Sequence, residues 1–158
     1  YQRVQQHNWQ QPLRGDWRVR LYEGVRGGDG PVVLVAHSLG CILTAWWARH
    51  APPAVVGKVQ AALLVAPGDV EQADLRQHLP GWAPIARQRL PFAAVVVGSQ
   101  NDPYCRLARA QQLAADWGAQ WVDAGAAGHI NSASQLGDWP QGHALLQDLV
   151  KDSVHGKR

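Results

Sequence analysis

The sequence predicts an α/β fold in which helices cover both faces of a mostly parallel sheet. Continuous apolar segments at residues 31–36, 59–66 and 93–98 are separated by turn residues and by segments with helical periodicity. Strands of a parallel sheet are buried on both faces and therefore appear as uninterrupted apolar runs. The alternation of such runs with helices predicts a three-layer α/β/α sandwich.

Start and stop signals place the elements of the first half of the chain. Asp16 can cap a helix that is stopped by Gly27 and Gly28, and the pair Pro52-Pro53 closes the helix after the first apolar run. The elements expected here are, in order, a weak strand at 3–9, a helix at 16–25, a buried strand at 31–36, a helix at 39–50 and a buried strand at 59–66.

The second half of the chain continues this alternation. Pro103 suits the first turn of a helix and Gly118 its end, while Leu149 and Val150 are spaced to face a core. The expected elements are a short helix at 71–78 within a mixed loop, a strand at 93–98, a helix at 103–117, a short strand at 121–122 and a helix at 140–154. No repeat or linker is visible, so residues 1–158 are expected to form one domain.

The composition excludes several classes of function. Hydrophobic residues make up 46% of the chain and charged residues 17%, which is normal for a globular protein. The net charge is +3 and the basic residues are scattered, apart from a cluster at 151–158, so no nucleic-acid partner is expected. No apolar stretch approaches the roughly 20 residues of a membrane span, and no signal-peptide pattern is visible. We expect a cytoplasmic protein without a membrane partner.

The two cysteines, Cys41 and Cys105, are too few for a disulfide framework. Both are expected to pack as small buried hydrophobic residues. No spacing of metal-ligating residues is present, so we expect no metal.

The most informative motif is the segment Ala36-His37-Ser38-Leu39-Gly40, which lies between an apolar strand and a predicted helix. This layout is typical of a nucleophile elbow, a tight turn that projects a serine hydroxyl from the top of a sheet. Small residues flank the serine because the strand and helix backbones pass close together there. His37 is expected to point to the opposite side of the strand and to have a structural role.

Two further polar loops follow predicted strands, and they contain Asp102 and His129. Ligands bind at the carboxyl ends of the strands in such sheets, so these loops are expected to meet the Ser38 turn. A serine hydroxyl becomes a good nucleophile when an imidazole takes its proton and a carboxylate orients that imidazole. We predict Ser38 as nucleophile, His129 as general base and then acid, and Asp102 as the orienting carboxylate, in the chain order of α/β-hydrolases.

Each of these assignments has an alternative. Asp102 can also cap the following helix, Asp69 is a rival acid after the strand at 59–66, and His129 can be a solvated loop residue. The backbone N–H of Leu39 is the expected first donor of an oxyanion hole.

Four segments resemble the small serine hydrolases of the retinoblastoma-binding-protein-9 and bacterial YdeN-like family. They are the elbow with its strand at 31–41, Asn-Asp-Pro-Tyr-Cys at 101–105, the Gly-His-Ile-Asn loop at 125–131 and Leu-Gly-Asp-Trp-Pro at 136–140. The resemblance implies a compact α/β-hydrolase fold with the same three site residues and no cofactor. It also implies hydrolysis of small ester or amide substrates.

The resemblance departs from the family pattern at the start of the chain. The family begins with a strand, a Pro-Gly-rich loop and a helix before the segment matching 3–9, and none of these is in this sequence. We therefore expect the chain to be N-terminally incomplete. The absent strand would pair with the strand at 31–36, and its loop would supply the second oxyanion donor.

The sequence thus predicts a serine hydrolase that forms an acyl-enzyme with a small-molecule substrate. Trp82 and Trp139 have loop positions that suit the wall of a substrate pocket. The alternative is a non-catalytic binding module on a hydrolase scaffold, because fold alone does not imply function.

Overall fold

The computed structural model describes residues 1–155, which build a four-stranded parallel sheet with helices on both faces. The strands lie side by side in chain order, and every neighbouring pair is parallel. They are β1 (Val32–His37), β2 (Val59–Val65), β3 (Ala93–Gly98) and β4 (Gln120–Asp123). The predicted α/β fold class is therefore confirmed.

The helices form the two outer layers. They are α1 (Arg14–Gly27), α2 (Leu39–His50), α3 (Pro53–Val56), α4 (Ala73–His78), α5 (Leu107–Trp117) and α6 (Pro140–His155). Helices α1, α2 and α5 contribute to one hydrophobic cluster, and α6 covers β2 and β3 from the opposite face. None of the helices in residues 1–155 is both long and apolar enough to cross a membrane.

Strand β2 is buried on both faces, which explains why its sequence is continuously apolar. Ala62 and Leu64 belong to the cluster on the α2 side, whereas Ala61, Leu63 and Val65 belong to the cluster on the α6 side. Successive side chains of a strand point to opposite faces, so both sets are buried only when both faces are covered. The central strands therefore have the environment that the sequence predicts.

Strand β1 differs from this prediction, because Val35 is 60% exposed. β1 lies at an edge of the four-stranded sheet, and α6 makes its main contacts with β2 and β3. The face of β1 that carries Val35 is thus left uncovered by α6. The predicted full burial of this strand is wrong in the part of the chain that the structure describes.

The hydrogen-bond ladder of the sheet continues past the strand ends. At three positions, the first residue after a strand donates its N–H to the last residue, or the next to last residue, of a neighbouring strand. The bonds run from Ser38 N to Val65 O at 3.0 Å, from Ala66 N to Val97 O at 2.8 Å and from Ala124 N to Gly98 O at 2.8 Å. The loops at this end of the sheet therefore begin from fixed positions.

The predicted strand at 3–9 is wrong, since this segment forms no strand. It packs beside α1, where Trp17 Nε1 donates to the His7 carbonyl at 3.0 Å and Gln6 Nε2 donates to the Trp17 carbonyl at 3.3 Å. Asp16 is also not a cap, because α1 begins earlier, with Leu13 at the N-cap position. A carboxylate in the first turn still interacts favourably with the helix dipole.

Two other helix predictions need correction. Helix α5 begins at Leu107 and not at Pro103, because the Tyr104 N–H donates to Asp102 Oδ1 at 2.9 Å and holds a turn there. In α6, Leu149 is buried as predicted, but Val150 is 41% exposed. The end of α5 is confirmed, since Gly118 has a φ of 66° in the left-handed region that glycine favours. Residues 156–158 of the predicted basic cluster lie outside the described residues.

Gly98, the last residue of β3, has no room for a side chain. A Cβ at this position would overlap the ring of Trp121 and lie 3.3 Å from the Cβ of Ala110. We expect Gly98→Ala to lower the free energy of unfolding by about 1–3 kcal/mol, because overpacking displaces a rigid ring. Urea denaturation measures this change. Gly30→Ala is the control, since a Cβ there meets nothing within 4 Å, and equal effects of the two changes would contradict the prediction.

Candidate active site

Ser38 lies in the turn between β1 and α2. Its backbone has φ 55° and ψ −116°, a conformation that a residue with a side chain rarely adopts. Such strain costs on the order of 1–3 kcal/mol and is typical of functional sites. A Cβ on Gly40 would lie 3.3 Å from the Cβ of Ala36, which shows how closely the strand and helix pass. The local geometry is that of the predicted elbow.

His129 lies between Ser38 and Asp102. Its Nε2 is 2.9 Å from Ser38 Oγ, and its Nδ1 is 2.9 Å and 3.0 Å from the two carboxylate oxygens of Asp102. The side chain of Asp102 is only 2% exposed, so little water competes for its oxygens. The structure thus brings together the three residues that the sequence singles out from three separate loops.

The direction of these hydrogen bonds follows from the chemistry of the groups. An ionised carboxylate can only accept, so His129 Nδ1 must carry the hydrogen that is shared with Asp102. In a neutral imidazole the other nitrogen, Nε2, is then an acceptor. It faces the hydroxyl of Ser38, which is therefore the donor. This tautomer is the one that can remove a proton from the serine.

The loop that carries His129 is held by residues that the sequence analysis did not single out. The Gly128 N–H donates to Asn101 Oδ1 at 2.7 Å, and the Ala127 N–H donates to Ser99 Oγ at 2.9 Å. The hydroxyl of Ser99 in turn donates to Asn101 Oδ1 at 3.0 Å. The sequence signal for Ser99 and Asn101 was their place in the polar run after β3. Within that run, a role was predicted only for Asp102.

Two aromatic rings flank the imidazole of His129. The ring of His37 lies 4.8 Å from it and that of Tyr104 lies 4.7 Å from it, measured between centroids. His37 Nε2 is also 2.8 Å from the backbone oxygen of His129. Burial lowers the pKa of His37, although the hydrogen bond to the His129 backbone opposes this shift. His37 thus contacts the loop that carries His129, and its position on the opposite side of the strand stays a prediction.

Comparison with known proteins agrees with this geometry. The family model described as "Serine hydrolase" matches residues 1–148. The chain belongs to the serine hydrolase family. No curated protein sequence matches the chain.

Solved structures of hydrolases share the fold of this serine hydrolase. A YdeN-like hydrolase from Pectobacterium atrosepticum is 25% identical, with a TM-score of 0.82 over 97% of this chain and 77% of the other. The ydeN gene product of B. subtilis is 18% identical, with a TM-score of 0.75 over 94% and 81% of the two chains. The mouse α/β-hydrolase domain-containing protein 10 is 17% identical, with a TM-score of 0.60 over 92% and 72%. The resemblance to YdeN-like hydrolases is thus confirmed.

The rival acid Asp69 has a different partner in this hydrolase. Its carboxylate lies 3.4 Å from Arg109 Nε, and its N–H donates to the Tyr104 carbonyl at 2.9 Å. Glu71 also binds Arg109 and accepts from Arg87 Nη2 at 2.8 Å. Asp69 therefore belongs to an ion-pair group that joins the loop after β2 to α5, whereas Asp102 is the carboxylate at His129.

The charge of Glu71 is stabilised by this group. Partial burial alone would raise its pKa, but the Ile85 N–H and the Arg87 guanidinium donate to the carboxylate. These hydrogen bonds, with the charges of Arg87 and Arg109, hold the pKa of Glu71 below its usual range. The contribution to stability is therefore present above the ordinary pKa of a glutamate and is lost as the pH falls through the lowered value.

Leu39, the predicted oxyanion donor, is the first residue of α2. An N–H in the first turn of a helix has no intrahelical acceptor, and this one donates to no backbone carbonyl of the described residues. Gly68 approaches the same region, since a Cβ on it would lie 3.3 Å from Ser38 Oγ. Leu39 thus has a free backbone donor beside the serine, and the bare backbone of Gly68 leaves space there.

The two predicted pocket tryptophans occupy different environments. Trp82 is fully buried, packs edge-on against Trp17 and donates from Nε1 to the Pro12 carbonyl at 2.8 Å. It has no surface for a substrate to contact, so its predicted role in a pocket wall is wrong. Trp139 is partly exposed and packs over Gly142 of α6, and its role at a pocket stays a prediction.

The cysteines are not alternative nucleophiles. Cys41 is fully buried in α2, and burial raises the pKa of its thiol well above the usual range. Burial likewise raises the pKa of Cys105 to about 12. A thiol reacts as its thiolate, so both residues are unreactive at neutral pH. Their predicted burial is confirmed.

Proposed function

We propose that this chain cleaves small ester or amide substrates through an acyl-enzyme intermediate, with Ser38 as the nucleophile. The observation that carries the proposal is the continuous hydrogen-bonded path from Ser38 Oγ through the His129 ring to the Asp102 carboxylate. Each contact has the length of a hydrogen bond, and the order serine, imidazole and carboxylate is the one in which the imidazole can take the serine proton.

Acylation begins when His129 Nε2 takes the proton of the Ser38 hydroxyl as its oxygen attacks the substrate carbonyl carbon. The C–O bond forms and the carbonyl electron pair moves onto oxygen, which gives a tetrahedral intermediate. The imidazolium then gives its proton to the leaving alcohol or amine as the bond to that group breaks. Asp102 stabilises the imidazolium without itself becoming protonated.

Deacylation repeats these steps with water as the nucleophile. His129 removes a proton from water, the hydroxide oxygen attacks the acyl carbon, and the proton returns to Ser38 as the acid product leaves. The same hydrogen bond between His129 and Ser38 serves both half-reactions, which is why its 2.9 Å geometry is central to the proposal.

The negative oxygen of each tetrahedral intermediate needs hydrogen-bond donors. We assign the backbone N–H of Leu39 as one of them, because it lies at the N-terminus of α2 and directly follows the nucleophile. The partial positive charge of the helix N-terminus adds to this stabilisation. One such donor contributes roughly 3–4 kcal/mol to the stability of the transition state in other hydrolases.

Covalent labelling tests this proposal. A fluorophosphonate probe is expected to modify the wild-type protein at one site, with peptide mapping placing the adduct on Ser38. Turnover of p-nitrophenyl acetate should be lost in proportion to the labelled fraction, because the probe occupies the nucleophile. The control is Ser153→Ala, which changes a serine at the end of α6 and should label normally. Modification of another residue, or turnover that is independent of Ser38, would overturn the assignment of the nucleophile. The absence of both labelling and turnover would favour a non-catalytic binding module.

A further inference from the structure

The mechanism above leaves one histidine beside the site without a role. His37 is the last residue of β1 and immediately precedes the nucleophile. Its Nε2 lies 2.8 Å from the backbone oxygen of His129, and the two rings are 4.8 Å apart. A carbonyl oxygen can only accept, so Nε2 of His37 carries the hydrogen and donates it.

We propose that His37 is a positioning residue, which holds the His129 backbone so that the imidazole keeps its reach to Ser38. This inference rests on the proposed function, because it assigns His37 a role in the same reaction. It adds a direct link from the strand that carries the nucleophile to the loop that carries the base.

The conformation of the His129 loop shows why such a link is needed. Gly128 and Ile130, on either side of His129, have positive φ values of 58° and 49°. The left-handed region is a genuine outlier for a β-branched residue such as isoleucine. Conformations of this kind persist only when surrounding contacts determine them. The loop therefore needs hydrogen bonds that offset its strain.

Two of these hydrogen bonds act at His129 or at the residue next to it. Asn101 accepts the Gly128 N–H on the N-terminal side, and His37 donates to the carbonyl of His129 itself. Asn101 belongs to the loop that carries Asp102, and His37 belongs to the strand that carries Ser38. The two bonds thus fix His129 relative to both of its partners.

Packing adds to this restraint. Tyr104 also packs against the imidazole of His129, with the two ring centroids 4.7 Å apart. The rings of Tyr104 and His37 therefore both limit the space into which the imidazole can turn. His37 thus contributes both a hydrogen bond and one of the two flanking rings.

Two amide substitutions at position 37 separate the hydrogen bond from other effects. Glutamine places an N–H close to the position of the histidine Nε2, whereas asparagine is shorter by one methylene and cannot reach the carbonyl. We expect His37→Asn to lower kcat about tenfold with KM changed less than twofold, since the loss is that of one hydrogen bond. His37→Gln is expected to recover kcat to within about threefold of the wild type.

The control variant is His78→Phe, because His78 is exposed on α4 and its ring bonds to the Asp74 carbonyl of its own helix. It should retain the kcat of the wild type. Thermal unfolding of all variants shows whether a fall in kcat merely follows a loss of folded protein. Equal kcat values for His37→Asn and the wild type, or for the two amide variants, would overturn the proposal.

A proton NMR measurement keeps this test independent of turnover. The hydrogen between His129 Nδ1 and Asp102 gives a downfield signal in a well-ordered site. We expect that signal in the wild type and in His37→Gln, and its broadening or loss in His37→Asn. An unchanged signal in His37→Asn would also contradict the role of His37. Absence of any Ser38-dependent turnover, with these signal differences intact, would instead count against the proposed function alone.

Discussion

Alanine in place of Ser38 is expected to lower kcat for p-nitrophenyl acetate by about six orders of magnitude. The change removes the atom that forms the acyl-enzyme, and His129 then has no hydroxyl to deprotonate. The residual rate reports what the oxyanion donors and binding alone provide. Steady-state kinetics with the purified variant, checked for contaminating esterase by active-site titration, measures the effect. Retention of more than about one hundredth of the wild-type kcat would refute the assignment.

A glycine at the same position gives a companion measurement. Both Ser38→Ala and Ser38→Gly should be inactive, but only glycine adopts the observed positive φ of 55° without a steric cost. The glycine variant is therefore expected to unfold at a higher temperature than the alanine variant. This pair shows that inactivity comes from the missing hydroxyl and not from a disturbed turn.

Asparagine in place of Asp102 is expected to lower kcat by about four orders of magnitude. Its amide can donate to Nδ1 of His129, which favours the tautomer whose Nε2 carries the hydrogen. That tautomer cannot take a proton from Ser38, although the shape of the site is preserved. The expected signature is a large fall in kcat with little change in the melting temperature.

Asp69→Asn is the matched control for this prediction. Asp69 is also an aspartate after a strand, but its carboxylate pairs with Arg109. We expect its loss to change kcat by less than about threefold and to lower stability by about 1 kcal/mol, the scale of a partly exposed ion pair. If kcat fell by four orders of magnitude in Asp69→Asn while Asp102→Asn remained active, Asp69 and not Asp102 would be the carboxylate that orients His129.

The fold was predictable where local signals and tertiary burial agree. Helix α2 spans Leu39–His50 as predicted, because an apolar face begins after the elbow and prolines end it. Strand β3 likewise matches its apolar run at Ala93–Gly98. The strand prediction at 3–9 was wrong because the weak local preference of this segment for strand is not supported by pairing with another strand of the described residues. Contacts with Trp17 determined its path instead.

The candidate site was predictable to the extent that chemistry restricts residue types. Ser38, Asp102 and His129 could be chosen because each follows a strand at one end of a parallel sheet. Asn101 and His37 could not, since their partners are backbone atoms of a loop whose path the sequence does not specify. The prediction that Trp82 lines a substrate pocket was wrong because its loop position does not reveal its hydrogen bond to Pro12, a residue distant in sequence.

The hydrogen bonds that continue the sheet beyond its strands couple the stability of the site to the stability of the sheet. Ser38 shares its N–H with β2, and Ala124, which precedes the loop of His129, shares its N–H with β3. The bases of these loops can therefore open only when the strands themselves separate. Melting of the sheet and loss of the site are thus one cooperative event. Natural insertions would be tolerated farther along the loops, beyond the last residue that the sheet binds.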